Sequence, residues 1–281
     1  SSSSWNFASR FFSHAAVCTY GRSLIVFGGR GDPVKPGSEE VPFHNTLFTM
    51  HVEKMRWEVP KVTGVAPSPR GGCVSCLSGN RLLVYGGEIE GDKEPPKSDC
   101  TPSDELWSLD LEAASWTNCS IRGVSPGPLS FGAAACVGNK AYFFGGWTGS
   151  EASNGLFTLD AVSLMWEPVE DNPSGPRPTP RWGHSLLAVE DKLFMYGGRD
   201  HLMHFATLSI YDTTSETWSM PQTRGDICRE RAFHSSLLWG RNLVIGLGSD
   251  GQHDANIVSM LNLDTLYWDS WDGNVARSGA A

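Results

Sequence analysis

The chain has 281 residues, of which 40% are hydrophobic and 19% charged, a balance typical of a globular protein. Its formal net charge of −9 disfavours nucleic acid as the main partner, because proteins that bind the phosphate backbone are normally basic. No apolar run reaches the roughly 20 residues of a membrane helix, so no membrane partner is expected.

The seven cysteines are odd in number and their spacing makes no disulfide framework, which favours a reducing compartment, cytoplasmic or nuclear. The chain begins with SSSSW, without an initiator methionine or a signal peptide. This start is typical of an excised domain or a processed chain.

One pattern recurs along the chain, an apolar run that ends in an aromatic residue and a double glycine. Its copies are LIVFGG ending at Gly29, LLVYGG at Gly87, AYFFGG at Gly146, LFMYGG at Gly198 and the degenerate LVIGLG at Gly248. A second apolar strand follows each copy, and then a tryptophan. These are Trp57, Trp116, Trp166, Trp218 and Trp268, spaced by 59, 50, 52 and 50 residues.

Each repeat predicts four short strands and no helix. In the fourth repeat the strands are expected at about 182–189, 192–197, 205–212 and 217–221. Their apolar runs are nearly continuous, so both faces of each sheet should be buried. Four-stranded sheets stacked around an axis achieve this, and the sequence therefore predicts an all-β fold, a β-propeller.

The repeat resembles the kelch family: a strand opening with Arg-x-x-His-Ser, the double glycine, a Tyr-Asp or Leu-Asp strand, and a tryptophan. The resemblance covers about residues 5–271. It implies one kelch-type β-propeller domain over 1–281, with a C-terminal tail at 272–281. Five blades are expected, and six are possible because Trp5 stands 52 residues before Trp57. The predicted repeats are about 10–60, 70–120, 128–170, 180–221 and 230–271.

The glycines are expected to permit close approach of strands, and each tryptophan to act as a wedge between blades. Loops that enter the first strand and leave the second lie on one rim of such a fold. Sixteen residues before the first glycine stand Arg70 and Arg181, and Arg231 stands sixteen before Leu247, which has that place in the degenerate fifth motif; the third repeat has Leu129. Arg10 lies near the equivalent place in the first repeat.

Peptide-binding kelch proteins use arginines at this position to hold carboxylates, so the resemblance implicates Arg10, Arg70, Arg181 and Arg231 in binding a protein or peptide with carboxylate groups. The alternative is that each arginine pairs with an acidic neighbour and only ties blade to blade.

Two insertions of eight or nine residues fall on the same rim, in 28–45 and 86–104. They either form a lip beside a binding pocket or are passive. Arg30, Trp147, Arg199 and His201 are further partner-binding candidates on this rim.

His14, His184 and His234 occupy near-equivalent places, which suits either a metal at the axis or one hydrogen-bonding histidine per blade. Cys73 and Cys76 lack a second pair, and their odd offset on a strand disfavours zinc.

Asp200-x3-His204 is similar to the last two ligands of the Glu-x3-Asp-x3-His iron site of the kelch nitrile-specifier proteins. Tyr196 occupies the glutamate position, which removes one of the three ligands. Asp200 and His204 are therefore weak metal candidates, and no cofactor and no catalytic residue are expected.

The leading interpretation is a protein-interaction or scaffolding module. Such a module can serve as the substrate-recruiting domain of a larger protein. One alternative is an enzyme or metal site around Asp200, His201, His204, Asp250 and His253. Another is an accessory propeller fused to a catalytic, methyltransferase-like domain, as in the kelch-bearing tRNA-modifying carboxymethyl transferases.

Overall fold

The computed structural model describes residues 15–31, 42–91, 100–170, 175–253 and 257–272. Every regular element in these ranges is a β-strand, which confirms the all-β prediction. In this described part, no helix is long and apolar enough to cross a bilayer.

The first compact unit, residues 1–169, contains three sheets and a separate hairpin. The first sheet consists of β1 (Ala16–Tyr20), β2 (Ser23–Phe27), β3 (Leu47–His51) and β4 (Arg56–Glu58). The second sheet consists of β5 (Val74–Ser78), β6 (Arg81–Tyr85), β9 (Leu106–Asp110) and β10 (Ser115–Cys119). The separate hairpin lies between β6 and β9 in the chain and consists of β7 (Glu88–Glu90) and β8 (Cys100–Pro102). The third sheet consists of β11 (Arg122–Gly123), β12 (Ala133–Val137), β13 (Lys140–Trp147), β14 (Ala152–Asp160) and β15 (Met165–Pro168).

The second compact unit, residues 170–281, contains two sheets. The fourth sheet consists of β16 (Trp182–Val189), β17 (Lys192–Arg199), β18 (Leu208–Asp212) and β19 (Thr217–Ser219). The fifth sheet consists of β20 (Arg224–Gly225), β21 (Ser235–Trp239), β22 (Asn242–Gly246), β23 (Ile257–Asn262) and β24 (Tyr267–Asp272).

The five sheets are the five predicted blades, which confirms the β-propeller arrangement. In the fourth sheet the first strand has the predicted bounds, and the third begins three residues later than expected, at Leu208. The two-residue strands β11 and β20 add a parallel edge to the third and fifth sheets. One domain over 1–281 stays a prediction, and most of the predicted tail lies outside the described residues.

The middle strands explain why the apolar runs are continuous. In β17 every residue from Leu193 to Gly198 is buried, and in β6 every residue after Arg81 is buried. Both faces of these strands are covered because the sheets of each unit pack face to face. Burial of this kind stabilises the fold by about 25 cal/mol for each Å² of apolar surface.

Three of the tryptophans stand between neighbouring sheets, as predicted. In these cases the aromatic residue before the double glycine of one sheet meets the tryptophan of the next. The pairs are Phe27–Trp116 at 4.8 Å, Tyr85–Trp166 at 4.9 Å and Tyr196–Trp268 at 5.1 Å between ring centroids.

Strand β21 departs from the expectation that both sheet faces are buried. Leu237 is 55% exposed and Trp239 is 68% exposed. Gly246 occupies the place that an aromatic residue takes before the glycines of the other four sheets. This face of the fifth sheet therefore lacks the ring on which a neighbouring tryptophan packs elsewhere.

Candidate functional site

The loops predicted to share a rim do lie at one end of their sheets. Main-chain bridges join the residue after each arginine position to the loop that follows the second strand. They are Gly71–Glu88, Ser130–Trp147 and Ala232–Ser249. In the fourth sheet Trp182 pairs directly with Arg199.

The three arginines in this register are buried. The relative exposure of Arg70, Arg181 and Arg231 is 0%, 2% and 1%. A guanidinium group out of reach of water must find its partners within the protein, since an unpaired buried charge is costly.

Arg181 illustrates how the protein meets this requirement. Its Nε donates to the main-chain oxygen of Thr179 at 3.1 Å, and its Nη2 to the hydroxyl of Thr179 at 3.0 Å. Its Nη1 donates to the oxygen of Gly197 and to the hydroxyl of Thr207, both at 3.0 Å. The guanidinium also lies 4.1 Å from the ring centroid of Phe205. Burial lowers the pKa of Arg181 to about 10, which leaves it charged at neutral pH.

Arg70 and Arg231 also find their hydrogen-bond partners within the protein. Arg70 donates to the oxygen of Gly86 at 3.1 Å and forms an ion pair with Glu105. Desolvation raises the pKa of the Glu105 carboxyl, but hydrogen bonds from Arg70 and Trp107 lower it more, and the net shift is downward. Arg231 donates to the oxygen of Leu247 at 3.1 Å.

The main chain at the same position holds the preceding sheet. The N–H of Gly29 donates to the oxygen of Arg70 at 2.8 Å, and that of Gly198 to the oxygen of Arg231 at 2.9 Å. We call this arrangement the arginine clamp: the side chain binds its own sheet, and the main chain binds the sheet before it. Leu129, at the same position of the third repeat, has only the main-chain part of this arrangement: its oxygen accepts from the N–H of Gly87 at 2.8 Å.

The clamp favours one of the two roles considered for these arginines. Arg70, Arg181 and Arg231 use their donors inside the protein and expose almost no surface, so the alternative in which they hold the fold together agrees with the geometry. Arg10 lies outside the described residues, as do the central parts of both insertions.

Loop 199–204, the segment Arg199-Asp200-His201-Leu202-Met203-His204, has two exposed apolar side chains on the rim of the second unit. The Asp200 carboxylate accepts from the N–H groups of Leu202 at 2.7 Å and Met203 at 2.8 Å, which closes a tight turn. Leu202 is 93% exposed and Met203 56% exposed. Sequence reasoning singled out the charged residues here and missed these two apolar ones, although both stand in the same short motif.

Aromatic and cationic contacts hold the base of loop 199–204. The guanidinium of Arg199 lies 5.3 Å from the ring centroid of Trp182, and the His201 ring meets the same tryptophan edge-on at 5.2 Å. The two predicted partner-binding residues of this loop are thus brought together on one indole ring.

Loop 249–253, in the fifth sheet, repeats the turn of loop 199–204. Its Asp250 carboxylate accepts from the N–H groups of Gln252 at 2.8 Å and His253 at 2.7 Å. The two loops meet where Gly251 faces the His204 ring, and a Cβ at that glycine would lie 2.7 Å from the ring. The loops therefore form one continuous surface in the second unit.

In the first unit the other two candidates are partly buried. Arg30 lies 4.8 Å from the ring centroid of Phe43, to which its main chain also pairs. Trp147 ends β13 and exchanges main-chain hydrogen bonds with Ser130, at 2.7 and 2.9 Å. Both are anchored at the start of a loop on the rim.

His234 agrees with the hydrogen-bonding interpretation. Its Nε2 lies 2.9 Å from the hydroxyl of Ser185 on β16, the first strand of the neighbouring sheet. His184 is buried, and His14 lies outside the described residues. Burial, reinforced by the nearby Arg231 charge, lowers the pKa of His234 to about 4.

The low pKa of His234 predicts a specific loss of stability in mild acid. Between about pH 6.5 and pH 4 the unfolded chain binds a proton that the folded protein excludes. The contribution of neutral His234 is therefore complete above about pH 6.5 and is lost as the pH falls toward 4, an effect of about 3 kcal/mol. Urea unfolding at pH 7 and pH 4.5 measures it.

A His234→Gln variant serves as the control for that measurement, because its carboxylates titrate as in the unchanged protein. The acid-induced loss should be smaller in the variant. Equal losses in the two proteins would contradict the assignment.

The residues of the candidate metal motif have structural roles. Tyr196, at the position of the missing glutamate, is fully buried and donates its hydroxyl to the oxygen of Cys228 at 2.5 Å. The Asp200 carboxylate closes its own loop. Across the described residues, no three His, Cys, Asp or Glu side chains cluster as metal ligands.

Comparison with known proteins agrees with this architecture. The model of the KLHDC2/KLHL20/DRC7 kelch-repeats domain matches residues 13–177 and 170–277. Human Kelch domain-containing protein 1 is 29% identical over 237 residues, which cover 75% of this chain and 57% of that protein. Human Host cell factor 2 is 28% identical over 211 residues, covering 64% and 25%, and Tip elongation aberrant protein 1 of Schizosaccharomyces pombe is 29% identical over 187 residues, covering 63% and 15%.

The chain thus spans less than two thirds of the length of each of these relatives. The family match, in contrast, extends over nearly all of its own length. Together with the repeated double glycines, tryptophans and four-stranded sheets, this match shows that the chain belongs to the kelch-repeat family.

Proposed function

We propose that this protein is a protein-interaction module that binds its partner through the rim where the first strands begin and the second strands end. The observation that carries the proposal is the pair Leu202 and Met203, two exposed apolar side chains on a loop fixed by its own hydrogen bonds. Exposed apolar groups on a rigid loop are typical of a binding anchor.

Rigidity is favourable for affinity. The Asp200 turn and the contacts of Arg199 and His201 with Trp182 order loop 199–204 before any partner arrives. Binding then avoids the free-energy cost of ordering a mobile segment. Full burial of a leucine or methionine side chain contributes roughly 1.5–3 kcal/mol, so two such anchors can supply a substantial part of a specific interaction.

Charge next to these anchors favours a partner segment that combines an apolar side chain with a carboxylate. Arg199 and His201 lie on the same loop as Leu202, and His201 is exposed. With Arg70, Arg181 and Arg231 buried, the half-buried Arg199 is the arginine of this loop that can meet a carboxylate. We extend the proposal to a role in recruiting proteins for a longer polypeptide, cytoplasmic or nuclear, because the related proteins are longer than this chain.

The test is partner capture with a double substitution, Leu202→Asp and Met203→Asp. We expect at least a tenfold loss of the proteins that the unchanged chain captures from a cytoplasmic or nuclear extract, as identified by mass spectrometry. The melting temperature should stay within a few degrees, since neither side chain is part of the core.

Val162→Asp is the matched control, because Val162 is an exposed apolar residue in the turn that follows β14, at the other end of its sheet. That variant should capture the same proteins as the unchanged chain. If the double variant also captured them at undiminished levels, the rim proposal would be wrong.

A further inference from the structure

A pair of cysteines in the first unit faces each other between the second and third sheets. Cys76 lies on β5 and Cys136 on β12, the first strands of those two sheets, and these strands are in contact. The two thiols lie close enough for each to shift the pKa of the other. Neither cysteine has a role in the rim surface described above.

The register of the strands explains why the two thiols meet. Cys76 pairs with Leu83, and its side chain is part of the apolar core between the second and third sheets. Cys136 pairs with Ala141 and packs against the same core from the other side. Because alternate residues of a strand point to opposite faces, these positions direct both sulfurs into one interface.

The two thiols differ in environment. Cys76 is buried, with a relative exposure of 7%, whereas Cys136 is only partly buried. Interaction with the Cys76 thiol lowers the pKa of Cys136, although burial opposes this shift. The same interaction, together with burial, raises the pKa of Cys76. Reactivity toward oxidants follows thiolate character and access, and both favour Cys136.

We propose that Cys76 and Cys136 form a reversible disulfide when the protein meets hydrogen peroxide, with Cys136 reacting first and Cys76 resolving the intermediate. Both cysteines lie at one apolar cluster on strands that are in contact, which is the placement that a disulfide between neighbouring sheets requires. The bond would join the first strands of the second and third sheets.

The chemistry balances with peroxide as the only added reagent. The Cys136 thiolate attacks one peroxide oxygen, the O–O bond breaks, and hydroxide leaves and takes up the thiol proton as water, giving a sulfenic acid. The Cys76 sulfur then attacks the Cys136 sulfur, the S–O bond breaks, and hydroxide leaves with the Cys76 proton as a second water. Two thiols are oxidised by two electrons, and one peroxide is reduced to two waters.

The experiment treats the purified folded chain with a modest excess of hydrogen peroxide, blocks remaining thiols with N-ethylmaleimide, and maps non-reduced peptides by mass spectrometry. We expect the peptide that links Cys76 to Cys136 to exceed every other linked pair at least tenfold and to disappear after dithiothreitol. Cys119 and Cys228 are the internal controls, since both are as deeply buried as Cys76 and should stay unlinked.

Single variants assign the order of the two steps. In Cys76→Ser, Cys136 should stop at the sulfenic acid and be labelled by dimedone, whereas in Cys136→Ser the residue Cys76 should remain unlabelled. Melting temperatures establish that both variants fold, and the linked peptide of the unchanged chain tests the proposal even if they do not. Absence of that peptide, or its formation only after denaturation, would overturn the proposal.

Discussion

Replacing Arg181 with alanine should lower the free energy of unfolding by about 3 kcal/mol or more, a large share of the stability of an ordinary domain. The substitution removes all four side-chain hydrogen bonds of Arg181 and leaves the buried oxygen of Gly197 without this donor. It also removes a cation from the face of the Phe205 ring. Urea denaturation at pH 7 measures the loss.

Arg241→Ala is the matched control, because Arg241 belongs to the same unit and also has several partners. It forms ion pairs with Glu190 and Asp264, each at 2.7 Å, but all three side chains are exposed. Exposed ion pairs are worth little, so this variant should lose less than about 1 kcal/mol. Equal losses in the two variants would show that burial is not what makes Arg181 important.

Replacing Gly86 with alanine should cost about 4 kcal/mol, the second of the two largest effects that we expect. Gly86 has a φ of +64°, a left-handed conformation that disfavours any Cβ. A Cβ at this position would also overlap the main-chain oxygen of Leu129 and lie 3.0 Å from that of Ser103. Main-chain atoms of these two loop residues cannot yield as a flexible side chain can, so the second and third sheets would be forced apart.

Gly79→Ala separates these two effects. Gly79 belongs to the same sheet and has a φ of +59°, but no atom lies within 4 Å of the Cβ that alanine would add. It should therefore lose only the conformational part, about 1–2 kcal/mol. If thermal or urea unfolding gave the same loss for both variants, close approach of the sheets would not explain the conserved spacing of the first glycine within these repeats.

The sequence predicted the strands and the tryptophan positions well, because both depend on short-range patterns repeated five times. A run such as LFMYGG can be buried on both faces only between neighbouring sheets, which is where β17 lies. Trp166 and Trp268 occupy the predicted interfaces for the same reason.

The role of the arginines could not be read in this way. Spacing placed Arg181 and Arg231 correctly at the entry to their sheets, but spacing does not distinguish a side chain that points outward from one that folds back on its own carbonyl groups. That distinction depends on whether the main-chain oxygens of Gly197 and Leu247 face the guanidinium. Only the three-dimensional structure contains this information.

One repeated residue was overlooked although the sequence contains it. Six residues before each arginine position, or Leu129 in the third repeat, stands a glycine. All four of these glycines lie against the main-chain oxygen of the tryptophan in the same or next sheet along the chain: Gly64, Gly123, Gly175 and Gly225. A search for residues at fixed distance from the arginines, as well as from the double glycines, would have found them.

The candidate surface and the thiol pair show a similar limit. The turn at Asp200 could be expected from its sequence, but the exposure of Leu202 depends on how the loop leaves the sheet. Cys76 lies ten residues before its first glycine and Cys136 nine before its own, a difference of one that turns the side chains to opposite faces of their sheets. This parity is visible in the sequence, but the meeting of the sulfurs requires the packing of β5 on β12.

The arginine clamp has a consequence for how such a chain can change its length in evolution. Each clamp connects a sheet only to the one before it, through Arg70 and Gly29 in the first unit and through Arg231 and Gly198 in the second. Each repeat of this kind therefore contains the arginine that binds the repeat before it and the glycine that binds the repeat after it. Duplication or loss of one repeat leaves the fastening of every other repeat chemically unchanged, whereas deletion of half a repeat would separate an arginine from its glycine.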